Sequence, residues 1–116
     1  MTTRRVLVTD ADHFIGPACA ERFRSGGDEV VTRAEPFGSR SETIAWFAEF
    51  GPFDVVIANL DAPITVASIT DHDDDTVAEL HDRLVAPLYW LFAGCLPSMI
   101  DRGSGAVVVP TSATAI

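Results

Sequence analysis

The sequence predicts an α/β protein with a doubly wound parallel sheet, and three observations predict it. Short apolar, β-branched runs recur at 5–9, 29–32, 54–58 and 106–110. Stretches with helical periodicity fill the intervals between them. Glycine and proline close those stretches at Gly26-Gly27, Gly51-Pro52 and Gly103-Ser104-Gly105, where they act as helix stops. Strand and helix in alternation build a parallel sheet with crossover helices.

The first strand, 5–9, is apolar on both faces, as a central parallel strand covered on both sides should be. Residues 15–25 read as a helix with Ile15, Cys19 and Phe23 four apart. Residues 29–32 give the second strand, and 33–40, with Pro36 and Gly38, a polar loop. A second helix over 41–50 divides its surface between Ile44, Ala45 and Ala48 on one hand and Trp46, Phe47 and Phe50 on the other, and 54–58 is the next buried strand.

Residues 71–102 read as one long helix whose Val77, Leu80, Leu84, Leu88, Leu91 and Cys95 form a stripe facing the sheet. Between Leu84 and Ile100 the opposite face is apolar too, through Val85, Tyr89, Trp90, Phe92 and Leu96, and a helix apolar all round is buried all round. The run is about 17 residues, the lower limit for a membrane span, and Pro87, Gly94, Pro97 and Ser98 interrupt it. Packing on its own sheet and against a second subunit is therefore expected rather than membrane insertion. The last strand, 106–110, delivers Thr111-Ser112-Ala113-Thr114 to the carboxyl end of the sheet, where open parallel sheets place their chemistry.

Thr9-Asp10-Ala11-Asp12-His13-Phe14-Ile15-Gly16 joins the first strand to the first helix. In a nucleotide-binding α/β protein this turn is glycine-rich, so that the backbone can approach a pyrophosphate and lay it on the helix N-terminus. Only Gly16, the last of the expected glycines, remains; Asp10 and Phe14 hold the other two places. A carboxylate repels phosphate, and a phenyl ring fills space that a dinucleotide needs.

Composition narrows the partners. The 116 residues suffice for a single domain with a real core. Seventeen acidic residues against eight basic give a net charge of −9, which disfavours nucleic acid and anionic membrane surfaces. Cys19 and Cys95 lie in apolar stretches without metal or redox spacing, as buried thiols of a reducing, cytoplasmic compartment do. No signal peptide is expected, since Thr2 to Arg5 is polar and the following apolar run is short. Asp71-His72-Asp73-Asp74-Asp75 has the look of a metal cluster, but carboxylates at a helix start are explained by capping and the macrodipole. Asp10 and Asp12 read as turn or cap residues, and His13 as a solvent-facing turn residue.

Residues 54–63, Asp-Val-Val-Ile-Ala-Asn-Leu-Asp-Ala-Pro, resemble the phosphoacceptor stretch of response-regulator receiver domains. Asn59, however, stands at the acceptor position, and the chain has no lysine, although receivers need one. From Arg5 onward the chain instead resembles the short-chain dehydrogenase/reductase group, whose fold is Rossmann-like. The turn 9–16 corresponds to that group's glycine turn, 58–62 to its Asn-Asn-Ala-Gly stretch, 96–99 and 102–105 to the close of its long fourth helix, and Ser112 to its catalytic serine. The helical Asn of the parent group's proton relay falls on Leu84. Within the group, an aromatic residue preceded by His in the turn, together with Thr-Ser-Ala-Thr around the serine, resembles the halohydrin dehalogenases, which use no cofactor and convert vicinal haloalcohols to epoxides and halide.

That resemblance implies roles. Phe14 would help wall off a halide pocket where a nicotinamide once bound, and Ser112 would hold the substrate oxygen. A Tyr base with its pKa lowered by a nearby Arg would lie beyond Ile116, because Tyr89, the sole tyrosine, sits inside the apolar helix. Residues 1–116 are thus expected to be the N-terminal portion of one Rossmann-like domain. A homotetramer associating through the 76–99 helix, with Tyr89, Trp90 and Phe92 as anchors, is implied likewise. The competing reading is an NAD(P)-dependent reductase with a degenerate turn.

Overall fold

Val6, Leu7 and Val8 have no solvent exposure, and three consecutive side chains are buried in a strand only when both of its faces are covered. The computed structural model describes residues 3–62 and 67–111. Its elements are β1 (Arg5–Thr9), α1 (Gly16–Ser25), β2 (Glu29–Arg33), α2 (Arg40–Phe50), β3 (Val55–Ile57), a single 3-10 turn at Ile69–Asp71, α3 (Asp74–Leu84), α4 (Ala86–Arg102) and β4 (Ala106–Val108). All strand pairs are parallel, in the order β2-β1-β3-β4. Val6, Leu7 and Val8 pair with Val30, Val31 and Thr32 on one side and with Val55, Val56 and Ile57 on the other.

The alternation of side chains along β1 sorts the core into two layers. Leu7 and Val56 meet Phe47 of α2 and Leu91, Cys95 and Met99 of α4. Val6, Val8, Val55 and Ile57 meet Ala20 of α1, with Cys19 and Phe23 at its margin. On the α1 face, β4 is less covered, and Val108 is 49% exposed. The sheet is therefore doubly wound, with its direction of growth reversing between β1 and β3.

The stretch expected as one helix over 71–102 is two. Asp73 caps α3 by accepting the Thr76 N–H at 2.7 Å, so the helix begins after the acidic run has started rather than at Asp71. Pro87 in the first turn of α4 lacks the N–H that would continue the ladder, and the chain breaks at Val85. The buried stripe survives only in α4, at Pro87, Leu91, Cys95 and Met99; α3 has no buried residue, and Val77 and Leu84 are exposed. Taken together, 74–102 has the length and hydropathy of a membrane span. α4 directs Leu91, Cys95 and Met99 into the sheet core, while Tyr89 and Ile100 on its opposite face are exposed on this single chain.

The loop 34–39 is less polar than the sequence suggests, because Phe37 is buried against Trp46 and Phe47. Arg33 covers that ring with its guanidinium 3.9 Å from the ring centre and pairs with Glu42 at 3.1 Å.

Candidate functional site

In an open parallel sheet, ligands bind at the carboxyl ends of the strands where the winding reverses. Here that point lies between the turn after β1 and the loop after β3. The two are laced together by side chains that both strands deliver. Thr9 Oγ1 donates to the Asn59 carbonyl at 2.6 Å. Asn59, fully buried, donates from Nδ2 to the carbonyls of Asp10 (3.1 Å) and His13 (2.9 Å). The Asp61 N–H donates to Asp10 Oδ2 at 2.8 Å. From α3, Arg83 Nη2 donates to the Asp61 carbonyl at 3.2 Å, and the Asp61 carboxylate stands 3.8 Å from His13 Nδ1.

The turn keeps a glycine-type backbone without the glycines. Asp10 has φ +43° and Phe14 φ +50°, the left-handed region that a residue with a Cβ enters at a cost of about 1–2 kcal/mol. Asp tolerates that region better than a bulky residue does. Gly16 is kept for a different reason: a Cβ there would lie 2.7 Å from the Ala11 carbonyl oxygen, a backbone contact that cannot be relieved by a rotamer change. The two positions that depart from glycine are thus conformationally costly, whereas the third is sterically closed.

Asp10 is buried (4% exposed). That burial pushes its pKa up, opposed by the Asp61 N–H and by the Arg83 charge. It lines a cavity of about 90 Å³ together with Thr9, Glu35, Phe37, Asp82 and Arg83. Pockets for drug-sized ligands and cofactors run to about 300–1,000 Å³. The described residues therefore bound a space smaller than a dinucleotide-sized pocket, and its Asp10, Glu35 and Asp82 carboxylates disfavour a phosphate group there.

Of the residues singled out in the sequence, Ser112 lies outside the described residues. Phe14 is 58% exposed at the rim of the turn and is absent from the cavity lining among the described residues. Asp10 is more than a turn former, since it bridges two loops. His13 is solvent-facing as expected, though it stands beside Asp61. Cys95 is buried and its thiol is pushed up to about 11 by desolvation, so it is unreactive at neutral pH. Cys19 is only half-buried. Trp90 and Leu88 pack partly against the chain's own core. The roles of Asn59, Asp61 and Arg83 were not foreseen; a polar Asn59 directly after a fully apolar strand was the available signal.

No protein-family model and no curated protein sequence matches the chain. Solved structures do. A short-chain dehydrogenase from Streptomyces avermitilis superposes with a TM-score of 0.83 at 21% identity, over 96% of this chain and 50% of its own. L-sorbose reductase from Gluconobacter frateurii, solved with NADPH and L-sorbose, gives 0.78 at 20%, over 100% of this chain and 55% of its own. A halohydrin dehalogenase bound to ethyl (2S)-oxiran-2-ylacetate gives 0.77 at 21%, over 94% and 52%. The chain has the fold of the N-terminal part of these enzymes and spans about half of their length.

Proposed function

We propose that the protein is a cofactor-independent halohydrin dehalogenase on a short-chain dehydrogenase/reductase scaffold, working in the cytoplasm on vicinal haloalcohols and, in reverse, opening epoxides with small anions. The observation that carries this reading is the turn after β1, which holds Asp10 and Phe14 in left-handed conformations where nucleotide-binding turns have glycine. Non-glycine residues in left-handed conformations cluster at active sites and ligand clamps. A buried carboxylate makes the turn unfavourable for a pyrophosphate, and the exposed Phe14 ring is open to contact with a small substrate.

The chemistry needs no hydride acceptor. The haloalcohol oxygen loses its proton to a base and attacks the neighbouring carbon, and the carbon–halogen bond breaks with its electron pair leaving as halide. Ser112 would donate a hydrogen bond to that oxygen, Phe14 would border the departing halide, and the base would be a tyrosine beyond Ile116. A homotetramer through α3 and α4 belongs to the same reading, supported by the exposed Val77, Val85, Tyr89 and Ile100.

NADPH in the sorbose reductase structure favours the second reading, an NAD(P)-dependent reductase; the poor fit of a dinucleotide to Asp10 and the small cavity weighs against it. The test is halide release from a simple vicinal haloalcohol by the complete protein and by Ser112→Ala, alongside NADH and NADPH titration. Loss of one such donor should lower turnover about a hundredfold to a thousandfold. Halide release by the folded variant at the parent rate ends the role of Ser112. Micromolar dinucleotide binding, or no halide from any haloalcohol, overturns the dehalogenase reading.

A further inference from the structure

We infer that Asp10 is a positioning residue: its side chain latches the turn after β1 to the loop after β3, in a network where Asn59 holds the backbone of Asp10 and His13. Three contacts make the case. The carboxylate accepts the Asp61 N–H at 2.8 Å, the Asp10 carbonyl accepts Asn59 Nδ2, and the same Nδ2 fixes the His13 carbonyl. The bond between Asp10 and Asp61 joins residues 51 apart in sequence across the point where the winding reverses. Arg83 extends the latch to α3 through the Asp61 carbonyl, so turn, loop and helix share one residue, Asp61, as their junction.

A nucleotide-binding turn of this geometry is organised by glycine and by the phosphate it cradles. Asp10 supplies an acceptor from within the chain, and its left-handed backbone directs that acceptor toward the loop after β3. Glycine at position 10 would relax the backbone but remove the acceptor and leave the Asp61 N–H without its partner. Asparagine would keep an acceptor of the same shape while removing the charge.

The test compares the complete protein with Asp10→Gly and Asp10→Asn by amide hydrogen exchange, read at Asp61 and, as an internal reference, at Val56 in the core. In Asp10→Gly the Asp61 amide should exchange about 10–100-fold faster, as loss of a hydrogen bond to a charged group implies, with Val56 unchanged. Asp10→Asn should stay within about threefold of the parent, because its amide oxygen can accept the same bond. Unchanged exchange in the glycine variant, or asparagine matching glycine, overturns the latch. If Asp10→Gly does not fold, the asparagine variant decides alone: an unprotected Asp61 amide in a folded protein refutes the inference.

The catalytic consequence rests on the dehalogenase reading. Turnover of a haloalcohol should fall in Asp10→Gly and return in Asp10→Asn. A parent protein that releases no halide yet shows this exchange pattern refutes the dehalogenase reading and supports the latch. A parent that releases halide, with Asp61 exchange indifferent to residue 10, does the reverse.

Discussion

Replacing Phe14 separates conformational strain from packing. The ring is 58% exposed, so somewhat under half of the roughly 1.5–3 kcal/mol available from burying a phenylalanine is realised, about 0.6–1.3 kcal/mol. Phe14→Ala loses that contribution and keeps φ at +50°. Phe14→Gly loses it as well, recovers about 1–2 kcal/mol of left-handed strain, and gives back about 0.4–1 kcal/mol to the greater entropy of an unfolded glycine. The glycine variant should therefore be more stable than the alanine variant by about 0.8 kcal/mol, the middle of a span of about 0–1.6 kcal/mol, the reverse of their order in a helix or strand. Urea denaturation of the three proteins, at matched slopes, reads the difference. An alanine variant more stable than the glycine variant would mean that residue 14 is not held left-handed, and the argument from strain to function would fall with it. Titration of Phe14→Gly with NADH and NADPH should show no binding, because the buried Asp10 carboxylate stays in the turn.

Two further outcomes follow from charge and from the exposed apolar residues. The folded pKa of Asp10 is raised, chiefly by burial, so its ionisation costs stability: the cost is absent below the unfolded value near 3.9 and complete above the raised folded value. Asp10→Asn should accordingly match the parent in acid and exceed it at neutral pH. Asp54 has the opposite sign, being lowered by the Arg5 N–H and then by Arg102; its stabilisation is present above the usual aspartate range and lost as pH falls through its folded value, so Asp54→Asn should flatten the acid limb of a stability–pH curve. For the assembly, sedimentation should give a tetramer at micromolar concentration and smaller species in Tyr89→Arg; a monomeric parent protein would refute association through α3 and α4.

Much of the fold is legible in the letters because it depends on patterns that survive any detail of packing. β1 could be read from apolar residues on both faces, and α2 from an apolar surface closed by Gly51-Pro52. α1 and α2 lie within one residue of their expected limits, and β2 extends one residue further, to Arg33. The helix over 71–102 was overextended because periodicity continues through Val85 and takes no account of the N–H missing at Pro87. Phe37 was hidden in a polar loop, since its burial depends on Trp46 and Phe47 arriving from the next helix. At the site, Asp10 and Phe14 stood out as departures from a glycine pattern. The bond from Asp61 to Asp10 did not, because it spans two loops whose meeting is decided by the pairing of β1 with β3.

The three positions of the turn make unequal demands on heredity. At Gly16 a Cβ would strike the Ala11 backbone, so mutation there is arrested by geometry. At positions 10 and 14 a side chain adds conformational energy and nothing collides, so these sites are open to drift and to new chemistry within the stability margin of a small domain. A chain can thus carry other residues at two of the three glycine positions and still trace the same path, so the backbone route tolerates a change in the letters that write it.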